Sequence, residues 1–113
     1  MIDSALSWSL SAPGRDRLRL VVYLAPGRAD QAVAQLAING LKVSYKRAKS
    51  VWITGAQSVS AFLREARPDD PDLHGLLERL EILFGGARGR SVSPGDRAER
   101  RQIVRAIIKR AQS

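Results

Sequence analysis

The sequence predicts an α+β fold, in which two antiparallel β-hairpins form one sheet, helices cover one face of it in a ββαββα order, and further helices follow toward the C-terminus. Three observations predict it. Two pairs of segments alternate apolar and polar residues, and a turn signal joins each pair. A segment of helical periodicity separates the pairs, and three more follow the second pair. Hairpins with helices between and after them pack as an antiparallel sheet with its helices on one side.

Residues 4–11 make the first strand, with Leu6, Trp8 and Leu10 on one side and Ser7, Ser9 and Ser11 on the other. Ala12-Pro13-Gly14 is a turn signal. Arg17 to Leu24 alternates again, setting Leu18, Leu20, Val22 and Leu24 against Arg17, Arg19, Val21 and Tyr23. Pro26-Gly27 breaks the chain, and Asp30 is the expected N-cap of a helix reaching Ile38, with Val33, Leu36 and Ala37 on its inner face. Asn39-Gly40 stops that helix, because glycine tolerates the left-handed conformation. The alternation from Leu41 to Lys46 then places Leu41, Val43 and Tyr45 inward and Lys42, Ser44 and Lys46 outward. After the basic turn Arg47-Ala48-Lys49, Val51 and Ile53 point inward and Ser50, Trp52 and Thr54 outward.

Ser58 is the expected cap of the next helix, whose apolar face is Val59, Phe62 and Leu63. The run Asp69-Asp70-Pro71-Asp72 is an acidic helix start that suits the positive end of the helix dipole. Its helix carries a stripe of Leu73, Leu76, Leu77, Leu80, Leu83 and Phe84. Residues 85–95 are rich in Gly, Arg and Ser and read as a mobile loop. Pro94 opens a last helix with Ile103, Val104, Ile107, Ile108 and Ala111 on one face, and with Arg97, Arg100, Arg101, Arg105, Lys109 and Arg110 around it. Residues 1–66 therefore form the sheet-and-helix unit, and residues 67–113 the C-terminal helices of the same single domain.

Charge narrows the function. The 113 residues hold 19 Lys and Arg against 11 Asp and Glu, a net charge of +8. That charge is segregated: the balance is +5 over residues 1–56, −3 over 57–84 and +6 over 85–113. Two basic segments around an acidic one point to a directed surface for a polyanion, nucleic acid first. With no cysteine there is no disulfide, thiol nucleophile or thiolate metal site. No apolar run approaches the length of a membrane span, and Asp3 stands where a secretory leader would be basic. The expected location is the cytoplasm, with the nucleoid as a variant of it.

With the apolar side of each strand turned to the helices, the other face collects Ser7, Ser9, Arg17, Arg19, Tyr23, Lys42, Ser44, Lys46, Ser50, Trp52 and Thr54, and no acid. A solvated sheet face is normally polar, but polarity alone does not require a single sign. Lys and Arg neutralise phosphates, hydroxyls donate to phosphate oxygens, and Trp52 offers a ring to an unstacked base. The expected nucleic-acid-binding residues are Arg17, Arg19, Lys42, Ser44, Lys46, Arg47, Lys49 and Trp52, with Arg88, Arg90, Arg101 and Arg105 reaching the backbone. No catalytic set, metal site or cofactor is expected. His74 is the one histidine and has no ligand-spaced partner, and Asp69, Asp70 and Asp72 are explained by helix capping. The glycine-rich residues 85–89 lack the lysine and hydroxyl of a phosphate loop.

The stretch from Met1 to about Glu65 resembles the LAGLIDADG homing-endonuclease fold, and more closely its non-catalytic relative, the N-terminal domain of the sporulation regulator WhiA. Residues 1–10 (MIDSALSWSL) resemble the end of the family motif running into its first strand. Residues 41–54 (LKVSYKRAKSVWIT) resemble its second hairpin, and residues 58–63 the helix after it. The resemblance implies that the outer sheet face is a DNA-contacting saddle. It also implies that Asp3 takes the place of the motif's first acid and Ala5 that of its metal-binding catalytic acid. Alanine binds no cation, so the resemblance implies retained binding and lost cleavage. The helix that pairs half-domains in the family would precede Met1, which argues against dimerisation by that route.

The expectation is thus a non-catalytic nucleic-acid-binding protein with DNA as partner. Three alternatives stand beside it: an RNA-binding factor of maturase-like or ribosome-associated kind, a metal-dependent nuclease using Asp3 from two chains, and an interaction protein whose Leu73–Phe84 helix binds a protein partner or a second copy.

Overall fold

The computed structural model describes residues 5–14, 16–85 and 94–112. The elements run β1 (Ala5–Ser11), β2 (Arg19–Leu24), α1 (Ala29–Ile38), β3 (Tyr45–Lys46), β4 (Ser50–Ile53), α2 (Ala56–Ala66), α3 (Pro71–Gly85) and α4 (Pro94–Ala111). The fold is α+β, with a four-stranded antiparallel sheet in the order β1-β2-β4-β3. The inner face of the sheet is aliphatic. Leu10, Leu20, Val22, Leu24, Val51 and Ile53 are buried beneath the helices, and side chains from all four helices complete one continuous core. Trp8 meets Phe62 of α2 edge to face at 6.2 Å, which fixes α2 against β1.

Turn chemistry sets the connections. Pro26 and Gly27 occupy the centre of a turn closed by the Arg28 amide on the Ala25 carbonyl (3.2 Å), with Gly27 at φ 79. Helix α1 starts at Ala29, one residue before the expected cap, so Asp30 lies in the first turn and Arg28 takes the N-cap position. Its buried residues are Ala29, Ala32 and Leu36, and Ala37 faces solvent. The helix ends in a Schellman motif: the Leu41 amide donates to Leu36 (2.9 Å) and the Gly40 amide to Ala37 (3.0 Å), with Gly40 at φ 79. A Cβ at residue 40 would meet nothing within 4 Å, so the cost of Gly40→Ala is conformational only. That substitution is expected to lower stability by about 1 kcal/mol, measured by urea unfolding.

The C-terminal helices pack as a layer in which α3 contacts both α2 and α4. Leu73, Leu77 and Leu80 of the α3 stripe are fully buried, as are Val104, Ile107 and Ala111 of α4. Helix α3 runs to Gly85 and α4 starts at Pro94, so most of the expected 85–95 loop lies outside the described residues. Buried Ser60 hydrogen-bonds Glu81, which also pairs with Arg64 at 3.4 Å, tying α2 to α3. His74 is structural, with Nε2 at 2.7 Å from the Arg67 carbonyl. At the far edge of the sheet, the Gln112 side chain accepts a hydrogen bond from the outward-facing amide of Leu10 (3.0 Å).

Asp70 caps α3, accepting from the Leu73 amide at 3.1 Å. The Arg110 guanidinium donates to both of its oxygens (3.1 and 2.9 Å) and holds its carboxyl below the ordinary value of 3.8; the Leu73 amide adds to the effect. Because the folded value is the lower one, this stabilisation is complete above pH 3.8 and is lost as the pH falls through the folded value. Asn caps as well as Asp but cannot ionise. The melting temperature of the wild type is therefore expected to exceed that of Asp70→Asn at neutral pH, with the gap closing in acid. A gap independent of pH would show that the pair contributes nothing.

Candidate nucleic-acid interface

Strand alternation and register build the outer face. One row crosses all four strands as Ser9, Val21, Trp52 and Tyr45; beside it run Ser7, Tyr23 and Ser50, and on the other side Ser11 and Arg19. None of the four strands contains an acid. Tyr23 and Tyr45 are 43% and 50% exposed, so both rings are open to solvent on this face. Hydroxyls of Ser9 and Tyr23 lie 3.4 Å apart on this face.

Two guanidinium groups and two rings form its centre. Arg19 lies 4.5 Å over the Trp52 ring, and Arg47 lies 5.2 Å from the same ring and 5.4 Å from that of Tyr45. Tyr45 and Trp52 are tilted at 53° with centroids 5.2 Å apart. Each cation–π contact contributes on the order of 0.5–1 kcal/mol at an exposed site, enough to orient a guanidinium without neutralising it. No ion pair among the described residues involves Arg19 or Arg47. The Nε of Arg19 is buried without an acceptor, so its stacking is achieved at some cost in polar satisfaction. The result is a pair of tilted rings carrying two oriented cations that form no ion pair among the described residues, beside the exposed β3–β4 turn with Arg47 and Lys49.

Several sequence-predicted residues lie elsewhere. Tyr45, expected inward, is on the outer face, and Lys46, expected outward, is on the helix side. The chain bends at Ser44, whose amide donates to the Trp52 carbonyl (2.8 Å), so the alternation shifts by one residue after Val43. Lys46 there pairs with Asp30 of α1 and is not a free cation of the outer face. Ser44 bonds the Thr54 hydroxyl at 2.6 Å. Arg17 and Lys42 are exposed at the end of the sheet where α2 begins, away from the Trp52 row. Ser58, the expected cap of α2, lies in its first turn, accepts from the Lys42 amide (2.9 Å) and leaves Gly55 at the N-cap. Arg101 and Arg105 line a groove with Ala12, Ile108 and Lys109 along the β1 side. Because β1 and β3 are opposite edges, that groove is separated from Tyr45 by the width of the sheet, roughly 14 Å. Arg88, Arg90 and Asp3 lie outside the described residues.

Five of the acids are engaged away from this face. Asp30 binds Lys46, Glu81 binds Arg64, Glu99 binds Arg79, and Asp70 and Asp72 bind Arg110. Among the described residues no three His, Asp or Glu side chains gather where they could hold a metal ion, and no helix is long and apolar enough to cross a membrane. No family model matches the chain, and no curated protein or solved structure matches it.

Proposed function

We propose that the chain binds nucleic acid through the outer sheet face and does not cleave it. The observation that supports this most is the Arg19–Trp52–Tyr45–Arg47 cluster on a sheet face without acids. Duplex DNA is the favoured polymer: the β3–β4 ribbon ends in the exposed cations Arg47 and Lys49, and a two-stranded ribbon fits the major groove. The resemblance to the LAGLIDADG fold supports the same choice, since the corresponding face there is the DNA saddle and Ala5 stands in the place of the metal-binding acid. A specific observation favours RNA as the second reading: exposed Tyr23 and Tyr45 beside Trp52 are what unstacked bases pack against. The cytoplasm, including the nucleoid, is the compartment this reading requires.

Titration of labelled duplex DNA and of structured RNA at two salt concentrations tests the proposal. Binding whose affinity falls steeply with salt is expected, because each phosphate contact releases a counterion. The tighter polymer identifies the partner. Affinity for neither at low salt, or affinity indifferent to salt, would sink the reading.

A further inference from the structure

The end of the sheet where α2 begins holds a cavity with two arginines in its lining. About 210 Å³ in volume, it is lined by Arg17, Thr54, Gly55, Ala56, Phe84 and Arg100. Through Thr54, Gly55, Ala56 and Phe84 it adjoins a second, of about 460 Å³, that Lys42 and Gln57 also line.

Two independent features make it a site for an anion. The first is the start of α2. Its first bonded amide is that of Val59, on the Gly55 carbonyl at 2.9 Å, so the amides of Ala56, Gln57 and Ser58 precede the hydrogen-bond ladder. No side chain caps them and the first turn has no acid. The positive end of the helix dipole is therefore left open toward the cavity. The second is Arg100, only 6% exposed, with Nε buried and lacking any acceptor. Its Nη2 donates to the Leu83 carbonyl (2.8 Å) and the group lies 4.2 Å from the Phe84 ring, but no carboxylate among the described residues pairs with it. Residues 86–93, which join α3 to α4, contain no acid to supply one. Arginine cannot shed its proton. Among the described residues a permanent charge is thus buried without a counter-ion, a costly arrangement that an anion would complete.

We propose that this cavity binds a phosphate group. The α2 amides receive its oxygens, Arg100 supplies charge from the floor, and the exposed Arg17 and Lys42 close on it from the rim. Its source is either a backbone phosphate of nucleic acid, in which case the inference rests on the function proposed above, or a free phosphorylated small molecule. In either case the recognised chemistry is the same.

Calorimetric titration of the full chain with inorganic phosphate, at ionic strength held constant with chloride, tests it. Saturable one-to-one binding is expected, weakened about tenfold or more in Arg17→Ala/Lys42→Ala. Both of those side chains are exposed, so the double variant keeps its fold. Arg100→Gln is expected to abolish binding, and if that variant does not fold the double variant carries the test alone. Absence of saturable binding, or equal affinity in the double variant, would overturn the proposal and leave Arg100 as a cap of α3. Duplex DNA then separates the sources. A salt slope reduced by about two in the double variant assigns a backbone phosphate. An unchanged slope with phosphate binding lost assigns a free ligand. Phosphate binding by a chain that binds neither DNA nor RNA would retain this site and remove the sheet-face reading.

Discussion

Arg19→Ala/Arg47→Ala is expected to reduce the slope of log affinity against log salt for duplex DNA by about two, one for each phosphate contact removed. Trp52→Ala is expected to act differently. It removes a stacking surface and not a charge, so it should weaken single-stranded substrates by about 1–3 kcal/mol per stacked base and change the slope less than the double arginine variant does. The two effects separate because Arg19 and Arg47 are held over the rings with no carboxylate among the described residues to compensate them. Stacking fixes their orientation and leaves their donors to a phosphate. Lys46→Ala is the matched control: its charge is paired with Asp30 on the opposite side of the sheet, so its loss should leave the slope nearly unchanged. Fluorescence titration over a salt series measures all three variants, and a melting curve for each checks that the sheet survives. If Lys46→Ala lowered the slope by about one, half the effect of the double arginine variant, binding would be governed by net charge and the outer face would not be the site.

The second large effect concerns the leucine stripe of α3. Leu77→Ala is expected to destabilise the chain by about 2–5 kcal/mol, a large share of the roughly 5–15 kcal/mol that holds a domain of this kind together. Leu77 is fully buried in a helix that contacts both α2 and α4, so truncation leaves a cavity with little freedom to collapse. Ile82→Ala on the same helix should cost under about 0.5 kcal/mol, because Ile82 is 54% exposed. Urea unfolding of the two variants decides between a core stripe and a docking stripe. A loss below about 1 kcal/mol at Leu77 would mean that this face is not packed within the chain and would revive a protein partner.

Much of this molecule was legible in its sequence because its signals are local. Leu18, Leu20, Val22 and Leu24 alternate without interruption, and all four are buried. Pro26-Gly27 and Asn39-Gly40 sit where the backbone requires a positive φ. What was not legible depends on a single residue of phase. The bend at Ser44 moves Tyr45 outward and Lys46 inward, and no residue type near it announces the slip. It exchanged a binding cation for an aromatic platform. Arg100 was missed for another reason. It was grouped with the other basic residues around α4, yet it stands four residues before Val104 and seven before Ile107, on the buried side of the helix. That spacing is visible in the sequence, but arginine is rarely buried, so residue type argues against the position. Ser58 failed as a cap because α2 begins at Ala56, which leaves Gly55 in the capping position.

The two margins of the sheet bear on how the molecule behaves when crowded. An open β edge offers a template to any passing strand, and long flat edges are where soluble proteins begin to aggregate. Here one margin, β3, is two residues long and carries a lysine, too short to seed an extended ladder. The other, β1, has seven residues, and its Leu10 amide is occupied by the side chain of Gln112 from α4. Fraying of the last turn of α4 would release that amide and expose the longer margin, so colloidal stability in this chain depends on a helix terminus more than on the sheet itself.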